Sequence, residues 1–182
     1  FYMDFDAYNR GDKNYKSTTS DVARLLSELD NEDVSGVIID LRNNGGGSLH
    51  EANNLIGLFI EQGPTVQIKT NTNNIIAQGK ALKSNFYSKP IIVLINRLSA
   101  SASEIFAAAI QDYQRGLIVG SQSYGKGTVQ TIKALPYGNL KITESKFYRV
   151  SGESTQHRGV IPDITFPEIY DKENIGESSL EY

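Results

Sequence analysis

The chain has 182 residues, 39% of them hydrophobic, which is enough for one well-packed domain and too little for two generous ones. Its formal charge of −3, with both signs interspersed, leaves no basic face for nucleic acid, and no apolar run is long enough to span a membrane. Cysteine is absent, which removes thiol nucleophiles, thiolate metal sites and disulfides together.

Phe1–Arg10 mixes aromatic and charged residues and is expected to begin as a short strand, followed by a polar, turn-rich stretch from Gly11 to Ser17. Thr18–Leu29 places Val22, Leu25, Leu26 and Leu29 at helical spacing behind the possible caps Ser17, Thr18 and Thr19, a pattern that core packing explains. Val37–Leu41 reads as a buried strand running into Arg42-Asn-Asn-Gly-Gly-Gly-Ser48, after which helical spacing returns from Leu49 to Ile60. A strand, a glycine turn and a helix in that order could hold a phosphate. The GxGxxG pattern is not satisfied, because Gly45, Gly46 and Gly47 are followed by Ser48, Leu49 and His50, and a plain tight turn is the alternative.

Thr65–Lys69 and Ile75–Gln78 read as short strands around the asparagine-rich turn Asn71–Asn74. Ser84–Pro90 leads into Ile91–Ile95, a continuous β-branched run of the kind that forms a strand buried on both faces. The turn Ser99-Ala-Ser-Ala-Ser103 and a helix over Glu104–Tyr113 follow, with a stop near Arg115-Gly116. Strand-like runs then dominate: Leu117–Val119, Thr128–Ala134, Leu140–Thr143 and Lys146–Val150. Repeats and low-complexity tracts are absent, and this order of strands and helices implies an α/β domain. The start at Phe1 without a signal pattern and the polar end Asp171–Tyr182 read as a single domain, residues 1–182, cut from a longer protein.

Ser101 and Lys126 are the residues of most chemical interest. Ser101 precedes Glu104 by three, the capping-box spacing, so capping a helix is its plainest role. A serine at a helix N-terminus also sits beside unpaired amides, which could hold an oxyanion if the serine were a nucleophile. The two histidines, His50 and His157, have no acid partner in a motif, so a Ser-His-Asp triad is poorly supported. The remaining base is a lysine kept unprotonated by desolvation or a positive potential, and Lys126, between Gly125 and Gly127, suits that role. A rival reading takes Gly120-Ser-Gln-Ser-Tyr-Gly-Lys126 as a P-loop. Gly127 then stands where Ser or Thr should be, and Thr128-Val-Gln-Thr-Ile132 looks like a strand where a helix is required.

Asp40-Leu-Arg-Asn-Asn-Gly-Gly-Gly47, Ser99-Ala-Ser-Ala-Ser-Glu104 and Tyr124-Gly-Lys-Gly-Thr-Val-Gln130, in that order and spacing, resemble the C-terminal processing peptidases, also called tail-specific proteases. Lys146-Phe-Tyr-Arg-Val150 and Ser154–Asp163 resemble the bacterial tail-specific branch. The resemblance implies the layered α/β fold shared with ClpP and crotonase-like proteins. It further implies a serine peptidase with Ser101 as nucleophile, Lys126 as base and Gln130 positioning the lysine, and with the amides of Ala102 and of Gly47, or else Gly46, as oxyanion donors. Glu104 and Asp112 match acidic positions of the family and are taken as supporting residues, a helix cap and a solvated-face residue respectively. No cofactor or metal is implied. Expected substrates are unfolded or tagged proteins with apolar C-terminal tails, the expected setting is the periplasm, and a PDZ domain is expected upstream of Phe1, with any adaptor unspecified. The non-catalytic alternative is a peptide-binding module using an exposed edge strand, which a wide separation of Ser101 and Lys126 would favour.

Overall fold

A computed structural model of the chain describes residues 1–70, 72–79 and 87–180. The expected lead-in at residues 84–86, and Asn71 of the expected turn, lie outside the described residues. In chain order the elements are α1 (Phe5–Asn9), α2 (Thr18–Asn31), β1 (Val37–Asp40), α3 (Leu49–Ile56), β2 (Val66–Thr70), β3 (Ile75–Gln78), β4 (Ile91–Ile95), α4 (Ala102–Asp112), β5 (Leu117–Gly120), β6 (Thr128–Leu135), β7 (Gly138–Tyr148) and β8 (Ile164–Thr165).

The first segment differs from its expected strand. Met3 makes a single bridge to Ser17, and Asp4 then caps α1 by accepting the Ala7 amide at 2.9 Å, so a local side-chain bond wins over extension. The helix after the glycine turn stops at Ile56, four residues short of the apolar pattern, yet Leu58, Phe59 and Ile60 remain buried. The two runs expected over 140–150 are one strand, β7. Val129 pairs with Ser145 and Gln130 with Thr143, so Glu144 is the extra residue of a bulge that breaks the local pattern without ending the strand.

The described strands form two sheets. One is parallel, in the order β1-β4-β5-β8, and the other is antiparallel, in the order β3-β2-β7-β6. Neither β1 nor β4 is buried on both faces: Ile38 is 65% exposed, while Ile91, Val93 and Ile95 are buried and alternate with half-buried Ile92 and Leu94. The inward face meets α3 and α4, where Phe106 packs edge-on against Phe59 at 5.7 Å. Val66, Ile68 and Phe147 of the antiparallel sheet join Val93, Ile95 and Ile118 of the parallel sheet in one apolar cluster with these helices.

The mixed α/β class is as expected, and it sets where chemistry can occur. The carboxyl ends of β1, β4 and β5 deliver the glycine turn, the serine turn and the lysine turn to one edge of the parallel sheet. Loops at the carboxyl ends of parallel strands are the usual place for a site in such sheets.

Candidate active site

Each serine of the turn between β4 and α4 has a different partner. Ser99 Oγ donates to the Leu41 carbonyl at 2.8 Å, and Ser103 Oγ donates to the Asn44 carbonyl at 2.9 Å, which fastens the turn to the glycine turn after β1. Ser101 lies between them with φ 56° and ψ −115°, a backbone conformation strained for any residue with a Cβ, at about 1–3 kcal/mol. A strained serine on a sharp strand-to-helix turn is how a nucleophile is presented in other hydrolases. The capping box is held by its glutamate half: Glu104 accepts the Ser101 amide at 2.8 Å. The Glu104 amide in turn donates to the Ser101 carbonyl at 2.9 Å.

The glycine turn packs directly on this serine. A Cβ at Gly46, whose φ is +99°, would stand 2.6 Å from the Ala100 carbonyl oxygen and 2.9 Å from Ser101 Cβ, so only glycine fits there. The Gly46 amide is occupied, donating to Asn44 Oδ1 at 3.0 Å. The amides of Gly47 and Ala102 make no hydrogen bond among the described residues, and both residues line the same cleft. Of the two glycines named for an oxyanion hole, Gly47 is therefore the one with a donor to offer.

The lysine turn after β5 is held in two ways. Gly125 and Gly127 lie so close to Gln156-His157 that a Cβ at Gly127 would stand 2.6 Å from the Gln156 amide nitrogen, and the Gly127 amide donates to Gln156 Oε1 at 2.7 Å. The second hold is the Glu104 carboxylate. One oxygen accepts the amides of Ser101 at 2.8 Å and Lys126 at 2.9 Å; the other accepts Ser123 Oγ at 2.6 Å and the Gly125 amide at 2.7 Å. Ser123 in turn accepts the Val160 amide at 2.6 Å, so its own proton is directed to Glu104. One buried side chain thus fixes the backbone at both Ser101 and Lys126. Burial pushes its pKa up from 4.5 to about 7, against the four donors, which pull it down.

The cleft has a volume of about 500 Å³ and is lined by Ser101, Lys126, Gln130, Gly47 and Ala102, with Leu49, Ile105, Val129 and Phe147 as its apolar wall. Ser101 and Lys126 therefore share one cleft, and no direct hydrogen bond joins their side chains in this structure. His50 also lines it, but its Nε2 is bonded to the Asn54 amide group at 2.9 Å and its ring lies against Tyr8, so no carboxylate orients it as a base. The P-loop reading fails on topology, since Thr128 opens strand β6 and no helix follows Lys126.

Glu104 does more than cap. Asp112 is not a solvated-face residue: its side chain is 9% exposed and is paired with Arg149 at 2.5 Å, and it also accepts the Ser151 amide at 3.2 Å. Long-range pairing to a residue 37 positions away pulls it into the structure, away from the cleft. Ser123 and Lys141, a further cleft residue, carry no local signal that marks them, because their partners and neighbours are set by tertiary packing.

The model of "Peptidase family S41" matches residues 2–166. A tail-specific protease of Haemophilus influenzae is 48% identical over 172 residues, covering 90% of this chain and 25% of that protein. A carboxy-terminal-processing protease of Bartonella bacilliformis is 38% identical over 177 residues, covering 93% of this chain and 41% of the relative. The chain thus spans a quarter to two fifths of the length of these relatives. Among solved structures, the photosystem II D1 C-terminal processing protease superposes with a TM-score of 0.74 at 32% identity, over 89% of this chain and 42% of that one. The tricorn protease, at 21% identity and a TM-score of 0.51, shares the fold.

Proposed function

Because this chain belongs to peptidase family S41, matched over residues 2–166, we propose that it is the catalytic unit of a serine endopeptidase that cleaves proteins through a Ser101–Lys126 dyad. The observation that carries this reading is the Glu104 carboxylate, which holds the amides of Ser101 and Lys126 on one oxygen beside a cleft that both residues line. Among the described residues the cleft lining contains no Asp or Glu to pair with the lysine side chain.

Lys126 in its neutral form takes the proton from Ser101 Oγ as the oxygen attacks the scissile carbonyl. It then gives that proton to the leaving amine, and water hydrolyses the acyl-enzyme by the reverse sequence. The free amides of Ala102 and Gly47 supply the oxyanion donors, each worth about 3 kcal/mol in the transition state. Gln130, on β6 in the same cleft, positions the lysine. Contacts between nucleophile and base often tighten only when substrate binds, which accommodates the absence of a direct Ser101–Lys126 bond. The apolar wall supports substrates with apolar tails, and the bacterial tail-specific relative supports a periplasmic setting.

In the full-length protein, Ser101→Ala and Lys126→Ala should each lower cleavage of an unfolded protein by at least about a thousandfold with unchanged circular dichroism, while His50→Ala should retain it. Cleavage surviving in either of the first two variants, or vanishing selectively in the third, would overturn the dyad. If binding of peptide persists while the wild type never cleaves, the peptide-binding module takes its place.

A further inference from the structure

The β6–β7 hairpin forms the wall of the cleft beyond Gln130, and it carries a cation with no counterpart among the described residues. Lys141 on β7 is paired with Ile132, two steps along the ladder from the Gln130–Thr143 pair, so Lys141 and Gln130 share a face of the sheet. It lines the cleft and makes no hydrogen bond or ion pair among the described residues, whereas nearby Lys133 is paired with Glu144 and Arg149 with Asp112. Among the described residues the cleft lining holds no carboxylate, and with Lys126 neutral for its role as base, Lys141 is the charge that meets an entering substrate. A cleft of one charge sign with apolar walls focuses its field on whatever enters it.

We propose that Lys141 is a specificity residue that receives a carboxylate of the substrate, carried on an extended peptide whose apolar residues lie along the cleft wall near Ser101. The proposal rests on the peptidase reading above. Lys126 and Ile132 are six residues apart, roughly 20 Å of extended chain less the reach of the lysine side chain, so the carboxylate lies several residues from the scissile bond. An Asp or Glu side chain and a free chain terminus offer the same chemistry.

The two sources are separated by fluorescence anisotropy on the Ser101→Ala protein, in which binding is read without turnover. Labelled apolar peptides would carry one Asp, or Asn in its place, stepped through each position, each peptide ending in either a free carboxylate or an amide. Expected is about a fivefold preference for the carboxylate over its neutral counterpart, as for a solvent-accessible ion pair, weakened by salt. That ratio should fall to about one in Ser101→Ala/Lys141→Gln and return in Ser101→Ala/Lys141→Arg. Preference at one Asp position assigns a side chain; preference lost on amidation assigns the terminus. No preference for either carboxylate, or a ratio that survives Lys141→Gln, overturns the proposal. Peptide cleavage by the Ser101→Ala protein, checked by mass spectrometry, overturns the nucleophile assignment instead.

Discussion

Four donors converge on the Glu104 carboxylate, whose residue is 1% exposed. Its spacing from Ser101 reveals the cap, but its bonds to Ser123, Gly125 and Lys126 span 19 to 22 residues, and no local pattern encodes them. The four donors require the ionised form, since a protonated oxygen would have to surrender one of them. With a folded-state pKa of about 7, raised by burial from 4.5, the folded protein holds a proton that the unfolded chain has released between these values. Stability from this group therefore falls as pH rises from 4.5 to 7, by on the order of 3 kcal/mol, while the clamp and cleavage strengthen over the same window. Denaturant unfolding at pH 5 and pH 8 should show this falling component in the wild type and not in Glu104→Gln, whose cleavage should also lose its rise toward pH 7. Identical pH slopes in the two proteins would contradict the assignment.

At the scale of elements, α4 is fixed at both ends, by the serine turn at its start and by Asp112 pairing with Arg149 at its finish. Asp112→Ala leaves a nearly buried guanidinium unpaired and should cost about 3 kcal/mol in denaturant unfolding. The protein that remains folded should keep its kcat; a loss of kcat without loss of stability would place Asp112 in the chemistry. Helix α2 and strands β2 to β5 were legible because their apolar spacing and turn residues agree with their packing. Three features were not. α1 depends on a single Asp4 cap, β8 has two residues, and the β7 bulge at Glu144 interrupts the alternation by which a long strand is recognised. The three loops of the site were visible as motifs, yet their convergence follows from the order β1-β4-β5, which spacing along the chain does not specify.

Across the whole molecule, one apolar cluster joins the two sheets through α3 and α4, so the walls of the cleft and its serine and lysine turns share a single core. Phe106, fully buried against Phe59 and Phe1, is central to it. Phe106→Ala should cost about 3–5 kcal/mol, with fluorescence and circular dichroism transitions still coincident. Separate transitions for the two sheets would contradict a single cooperative unit. That unity matters for function, because Glu104 can align two distant turns only if the sheet that carries β6 moves with the helix that carries Ser101. The most direct test is the Ser101 Oγ to Lys126 Nζ separation in a crystal structure with a peptide bound in the cleft. The account predicts about 3 Å, with the peptide carbonyl oxygen on the amides of Gly47 and Ala102. Side chains that stay apart while the peptide is seated would contradict it.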